Sequence, residues 1–280
     1  MTTRSAAKRR QRDGLSGYPQ QGGQQGGASR AFNDNAPNHI PPFNHDYSFS
    51  PKPGKQTEQA EMVDANDITF SIGPAGTGKT YIAIGKAIAA LKAGKVDTIL
   101  LSRPAVEAGK TIGFLPGDQN EKMSPYMRPL YDELDAAFGR GNWQHMLYNT
   151  ETNPSGCIEV CPVGMMRGRT FKKCFVVLDE AQNLLDEELT MAVTRLGAGS
   201  KMVITGDPNQ IDLNPKEDSG LKRMVEKLEG VENIAAQYYG REDVMRHPTV
   251  QAIVDRLEEK AEQKQPVRKL GIPRQDSPAH

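Results

Sequence analysis

From residue 67 onward, apolar and polar positions follow two alternating rhythms. Short, nearly unbroken apolar runs stand at 68–72 (ITFSI), 98–102 (TILLS), from Cys174 (CFVVLDE), at 201–206 (KMVITG) and at 233–239 (NIAAQYY). Runs of this length without polar alternation suit parallel strands buried on both faces. Between them the apolar residues recur at helical spacing. Thr80–Lys92 puts Ile82, Ile84, Ala87, Ile88 and Leu91 toward one side, and Gly94 can end that helix. Pro125–Phe138, Glu187–Leu196, Leu221–Leu228 and Thr249–Lys260 are the other predicted helices. Strand and helix in alternation predict a doubly wound α/β fold with a mostly parallel sheet. Such sheets bind ligands at the carboxyl ends of their strands.

Residues 1–50 follow neither rhythm. The stretch GYPQQGGQQGGASRAFNDNAPNHIPPFN is rich in Gly, Gln, Pro and Asn and poor in aliphatic residues. It cannot bury enough apolar surface to offset its ordering entropy, so a disordered tail is predicted over 1–50. The domain is then expected over 51–262, and 263–280 reads as a loose C-terminal tail. The first dozen residues carry Arg4, Lys8, Arg9, Arg10 and Arg12 and no acid, a pattern open to a nucleic-acid arm or a solubilising tail. Elsewhere charge gives no lead: 35 basic residues balance 35 acidic ones, so nucleic-acid binding needs a local patch. No apolar run approaches the ~20 residues that span a bilayer, and no apolar core follows the basic N-terminus. A soluble, cytoplasmic protein without membrane contact is expected. The three cysteines, Cys157, Cys161 and Cys174, lack the further ligands of a structural zinc and read as buried or idle thiols.

The chemistry-bearing residues sit at the ends of the apolar runs. Gly73-Pro74-Ala75-Gly76-Thr77-Gly78-Lys79-Thr80 fits G-x-x-x-x-G-K-[ST], between a strand and a helix. In a loop of this kind backbone N–H groups and the helix N-terminus face the oxygens of a triphosphate. Lys79 would meet the β- and γ-phosphates, and the Thr80 hydroxyl would be a Mg²⁺ ligand. In FVVLDEAQN, Asp179 and Glu180 end another strand: Asp179 is expected to orient Mg²⁺ through its water shell, and Glu180 to polarise an attacking water. A third run, ITGDPNQ, ends in Asp207 and Gln210. If that strand lies beside the Asp179 strand, both residues face the γ-phosphate; otherwise GDPN is a polar turn.

Together these motifs resemble superfamily 1 helicases, and more closely the PhoH family of ATPases. The family pattern is visible in NDITFSIGPAGTGKTYIA (66–83), SRPAVEAGKTIGFLPGD (102–118), EKMSPYMRPLYDEL (121–134), MRGRTF (166–171), VVLDEAQN (176–183), TRLG (194–197), TGDPNQIDL (205–213), SGL (219–221) and EDVMRHPTVQAIV (242–254). The resemblance runs over roughly residues 55–258. It implies a RecA-like P-loop NTPase domain that binds and hydrolyses ATP with Mg²⁺. The family tends to an aromatic where Met165 or Met166 stands. Related enzymes read adenine with an upstream glutamine. Gln56 and Gln59 are the candidates, and Gln56 has the better distance to the loop. Nothing in residues 1–50 resembles a PIN nuclease domain.

Superfamily 1 helicases close the ATP site between two RecA-like domains. About 70 residues follow Gln210 here, fewer than the ~100–150 of a typical domain. The missing half is therefore expected from another subunit, in a homo-oligomeric ring, or is absent. A neighbour would supply a transition-state arginine, with Arg103, Arg167, Arg169, Arg195, Arg241 and Arg246 as candidates. Arg246, just before a helix that Pro248 can start, is favoured. Arg167, Arg169 and Lys110 are loop cations that could touch RNA or single-stranded DNA. The expected function is an oligomeric ATPase acting on RNA or single-stranded DNA. An ATP-dependent binding switch without unwinding is the alternative, and a small-molecule kinase fits less well because Glu180 and Gln210 suit attack by water.

Overall fold

Nearly unbroken apolar strands need cover on both faces, and the chain supplies it with helices on each side of one parallel sheet. The computed structural model describes residues 40, 41, 44, 47–104, 119–213, 218–250, 252, 253 and 256. Helix α1 (Lys55–Ala65) leads into β1 (Ile68–Ile72), then α2 (Lys79–Lys92) and β2 (Thr98–Ser102). Helix α3 (Gln119–Phe138), β3 (Ile158–Val160), β4 (Cys174–Leu178), α4 (Asp186–Val193), β5 (Lys201–Gly206), α5 (Leu221–Lys227) and β6 (Ile234–Tyr238) follow. The strand order is β3-β2-β4-β5-β1-β6, and every pairing is parallel.

Alternate strand residues divide the core. Ile99, Leu101, Phe175, Val177 and Val203 face a cluster with Ile84 and Ile88 of α2 and Leu130 and Leu134 of α3. Leu100, Val176, Leu178, Met202 and Ile204 face the opposite cluster with Leu189 of α4 and Leu221 and Met224 of α5. The α/β class and the parallel sheet expected from the sequence are what the chain forms. Strand β5 lies between β1 and β4, so the condition set for Asp207 and Gln210 is met.

Several elements differ from expectation. Helix α1 was not anticipated, because its buried face carries Gln56 and Gln59 beside Ala60 and Val63 and shows no apolar stripe. Strand β3 has three residues with Glu159 at its centre, too short and too polar to read. Helix α3 begins at Gln119, ahead of the expected start at Pro125, and contains Pro125 and Pro129. The boundary drawn at residue 50 also shifts. The Asn44 amide donates to Ala137 O at 2.8 Å, and Phe49 stacks against Tyr81 with ring centroids 5.5 Å apart. Part of the segment expected as tail therefore packs on the domain. The rest of that segment, Lys110, the tail 263–280 and most of the helix expected over 249–260 lie outside the described residues. No described helix is long and apolar enough to cross a membrane.

Candidate functional site

Where β1 ends, the chain turns through residues 73–78 and enters α2 at Lys79. Gly73, Gly76 and Gly78 adopt positive φ values of 145°, 85° and 86°. Side chains with a Cβ rarely adopt such angles, and here they fold the backbone around a hollow at the N-terminus of α2. The hollow is a cavity of about 240 Å³. Ala75, Gly76, Gly78, Lys79 and Thr80 line one side, and Asp179, Glu180, Asp207 and Gln210 another. Gly73, Pro74 and Thr77 support the loop from behind, where the Thr77 hydroxyl donates to Pro74 O at 3.1 Å.

The helix expected from Thr80 left Lys79 in the loop before it. Lys79 is instead the first residue of α2 and only 8% exposed. Its ammonium donates to Gly73 O and Pro74 O, each at 2.7 Å, so the lysine braces the loop it belongs to. Burial pulls its pKa below the ordinary 10.5, against the pull of Asp207, Asp179 and Glu180 in the other direction.

The acids come from β4, two places from β1 in the sheet. Asp179 is buried, and its Oδ1 accepts from the Thr80 hydroxyl at 3.0 Å and from the Thr205 hydroxyl. Thr80 and Asp179 thus present hard oxygen donors to one point of the cavity, the donor type that Mg²⁺ takes. Among the described residues no group of three or more His, Cys, Asp or Glu could hold a metal without help. Mg²⁺ in nucleotide sites is held through one or two carboxylates plus substrate phosphates and water. Glu180 has φ 54° and ψ 39°, in the left-handed region. A non-glycine residue there costs about 1–3 kcal/mol and persists only where its surroundings enforce it.

Gln182 joins the acidic strand to the β5 loop. Its Nε2 donates to Glu180 Oε2 at 2.5 Å and to Gln210 O at 3.0 Å, while its Oε1 accepts from the Asp207 amide at 3.0 Å. Gln210 donates from Nε2 to Asp207 Oδ2 at 2.6 Å. Sequence reading passed over Gln182 as a bridging residue, although it stands within DEAQN. It also passed over Glu133 of α3, which lines the cavity beside Tyr81. Burial, then Asp132 and Asp179, push the Glu133 carboxyl above its ordinary 4.5.

Two expectations shift. Gln56 reaches the loop but does not line the cavity: its Nε2 donates to Thr77 O at 2.9 Å and its Oε1 accepts from the Lys52 amide at 2.9 Å. Gln59 is fully buried, donating to Lys79 O at 3.2 Å and accepting from the Tyr239 hydroxyl. Arg246, favoured as an arginine reaching into a neighbour's site, lies on its own chain's loop. The Met245 amide donates to Gly76 O at 2.8 Å, and Arg246 Nη2 donates to Ala75 O at 3.2 Å. The reason is the sheet order: β6 stands next to β1, so the segment leaving β6 arrives over the loop leaving β1. Of the other arginines, Arg103 contacts Asp179 and Glu180, Arg169 pairs with Glu159 through both terminal nitrogens at 2.6 and 3.0 Å, and Arg195 donates to Met191 O at 3.2 Å. Arg167 and Arg241 are exposed.

A parallel sheet whose first strand enters a G-x-x-x-x-G-K-T loop, with an acidic strand end two places away across the cavity, defines a P-loop nucleotide-binding domain. The chain belongs to the PhoH family: the family described as PhoH-like protein matches residues 48–258. A PhoH-like protein of Bacillus subtilis is 48% identical over 200 residues, which are 71% of this chain and 61% of the relative. A PhoH-like protein of Mycobacterium tuberculosis is 48% identical over 212 residues, 74% of this chain and 57% of the relative. Protein PhoH of Escherichia coli is 38% identical, over 68% of this chain and 53% of the relative. The chain thus spans between about half and three-fifths of the length of these relatives. Among solved structures, the SWI2/SNF2 ATPase core of Sulfolobus solfataricus in complex with dsDNA has a TM-score of 0.43 and 15% identity, over 81% of this chain and 56% of that one. The large terminase of a thermophilic bacteriophage in complex with ADP has a TM-score of 0.46 and 14% identity, over 72% and 49%.

Proposed function

We propose that the domain hydrolyses ATP, as an oligomer acting on RNA or single-stranded DNA. The observation that carries the hydrolysis is Glu180. It opens onto the same cavity as Lys79 and Thr80, and its strained backbone is the kind of cost that functional sites retain.

The loop amides and Lys79 would bind the phosphates, with the Lys79 ammonium exchanging the carbonyls of Gly73 and Pro74 for phosphate oxygens. Thr80 and Asp179 would hold Mg²⁺, which supplies charge neutralisation on the triphosphate. Glu180 takes a proton from water as the water oxygen bonds to the γ-phosphorus. The bond from that phosphorus to the bridging oxygen breaks, and its electron pair leaves with ADP. Gln210 would donate to the γ-phosphate or hold the water, and Gln182 ties it to Glu180. Gln56 is the glutamine for adenine, which requires its amide to leave Thr77 O. Arg246 serves its own loop.

Support for an oligomer comes from apolar surface beside the loop: Met245 is 39% exposed and Tyr238 58%. Support for a strand comes from exposed Arg167 in the connection that leaves the carboxyl end of β3. Phosphate release by the full chain, with and without single-stranded RNA or DNA and across protein concentration, tests the reading. Turnover that rises with strand and with assembly is expected. ATP binding without release above a Lys79→Ala background refutes hydrolysis and leaves a nucleotide-gated binding switch.

A further inference from the structure

Arg103 stands one residue past β2. The register pairs Ser102 with Leu178, so Arg103 arrives beside Asp179 at the end of β4. Its Nη1 donates to Asp179 Oδ2 at 3.3 Å, and its Nη2 to Glu180 Oε1 at 3.1 Å. The guanidinium is not among the groups that line the cavity, and it bridges the two acids. Gln182 holds the other oxygen of Glu180. Glu180 is thus fixed by donors at both oxygens while its backbone sits in the left-handed region. An ionised carboxylate offers about four lone-pair sites, so acceptor capacity toward water remains.

We infer that Arg103 is a positioning residue that works within its own chain, holding Glu180 aimed at the water, with its contact to Asp179 as the anchor. The inference rests on the hydrolysis reading above and withdraws Arg103 from the arginines available to a neighbour. A planar fork can reach two carboxylates together, whereas a lysine ammonium is a single point. Charge alone therefore serves only in part.

The test uses the full chain with Arg103→Ala, Arg103→Lys, Glu180→Gln and the Arg103→Ala/Glu180→Gln double variant. Affinity is read with a fluorescent ATP analogue, and turnover by phosphate release. Arg103→Ala is expected to keep nucleotide affinity and lose ~10- to 100-fold in kcat, as misplaced catalytic groups do. Arg103→Lys falls between, and it carries the test if the alanine variant does not fold. The double variant is expected to be no slower than Glu180→Gln, because Arg103 acts through that residue. Mixing Arg103→Ala with Lys79→Ala restores nothing, since each site needs both residues in one chain. Wild-type kcat in Arg103→Ala, losses that multiply in the double variant, affinity lost in step with kcat, or recovery in the mixture overturns the inference. A wild type that binds nucleotide and never turns over overturns the hydrolysis reading itself, an outcome recognisable without any Arg103 variant.

Discussion

Helix α2 is bounded by two glycines of positive φ, Gly78 at its N-cap and Gly94 just past its end, at 86° and 65°. Their surroundings differ. A Cβ on Gly94 would meet nothing within 4 Å, whereas one on Gly78 would fall 2.3 Å from Gln56 Nε2 and 3.2 Å from its Cδ. Alanine at either position carries the left-handed strain of about 1–2 kcal/mol. Only Gly78→Ala must also expel a buried glutamine amide from Thr77 O, which adds about 1–2 kcal/mol. The difference between the two variants isolates the collision. For a domain of this size each kcal/mol moves Tm by about 2–4 °C, so Gly78→Ala should melt about 2–8 °C below Gly94→Ala. The assay is thermal unfolding with and without Mg-ATP. Gly94→Ala should keep the full ATP-induced rise in Tm, and Gly78→Ala should lose most of it, because Gly78 lines the cavity. Equal melting temperatures and equal responses to ATP would refute the packing argument for the loop.

Glu133 gives a pH prediction. Its carboxyl is raised above 4.5, so the folded state binds that proton more tightly than the unfolded chain. The stability it contributes is present below 4.5 and lost as pH rises through the raised value. Glu133→Gln should therefore melt above wild type at pH 8 and level with it at pH 4; a gap unchanged by pH contradicts this. Arg246→Ala mixed with Lys79→Ala should stay inactive in phosphate release while the two chains co-assemble, because Arg246 lies on its own loop. Recovery in the mixture would return Arg246 to a neighbour's site. Truncation through residue 50 should lower Tm relative to truncation through residue 39, since Phe49 and the Ser50 amide hold Tyr81; equal values would show that these contacts contribute nothing.

The loop and the acidic strand end were legible because each is a local pattern: eight residues in frame between a strand and a helix, and an apolar run closing on Asp-Glu. The buried strands were legible because two covered faces leave a nearly continuous apolar run. Helix α1 was hidden because the face it turns to the loop carries glutamines where an apolar stripe would have marked it. The pairing of Arg103 with Glu180 spans 77 residues and follows from the register of β2 on β4, which no local pattern encodes. The contact of Arg246 with its own chain's loop was hidden for the same kind of reason: it depends on β6 joining the sheet beside β1. Glu133 is one acid among several on α3, and only packing selects it.

The central claim is that Glu180 activates water at this loop, and the most direct measurement is γ-phosphate release by wild type and Glu180→Gln, with nucleotide affinity measured on the same preparations. The amide keeps the size of the side chain and can still hydrogen-bond, but it cannot take the proton. Retained affinity with release slowed by about 10²-fold or more is the expected result. Release at the wild-type rate would contradict the account, and loss of affinity equal to the loss of release would make Glu180 a binding residue.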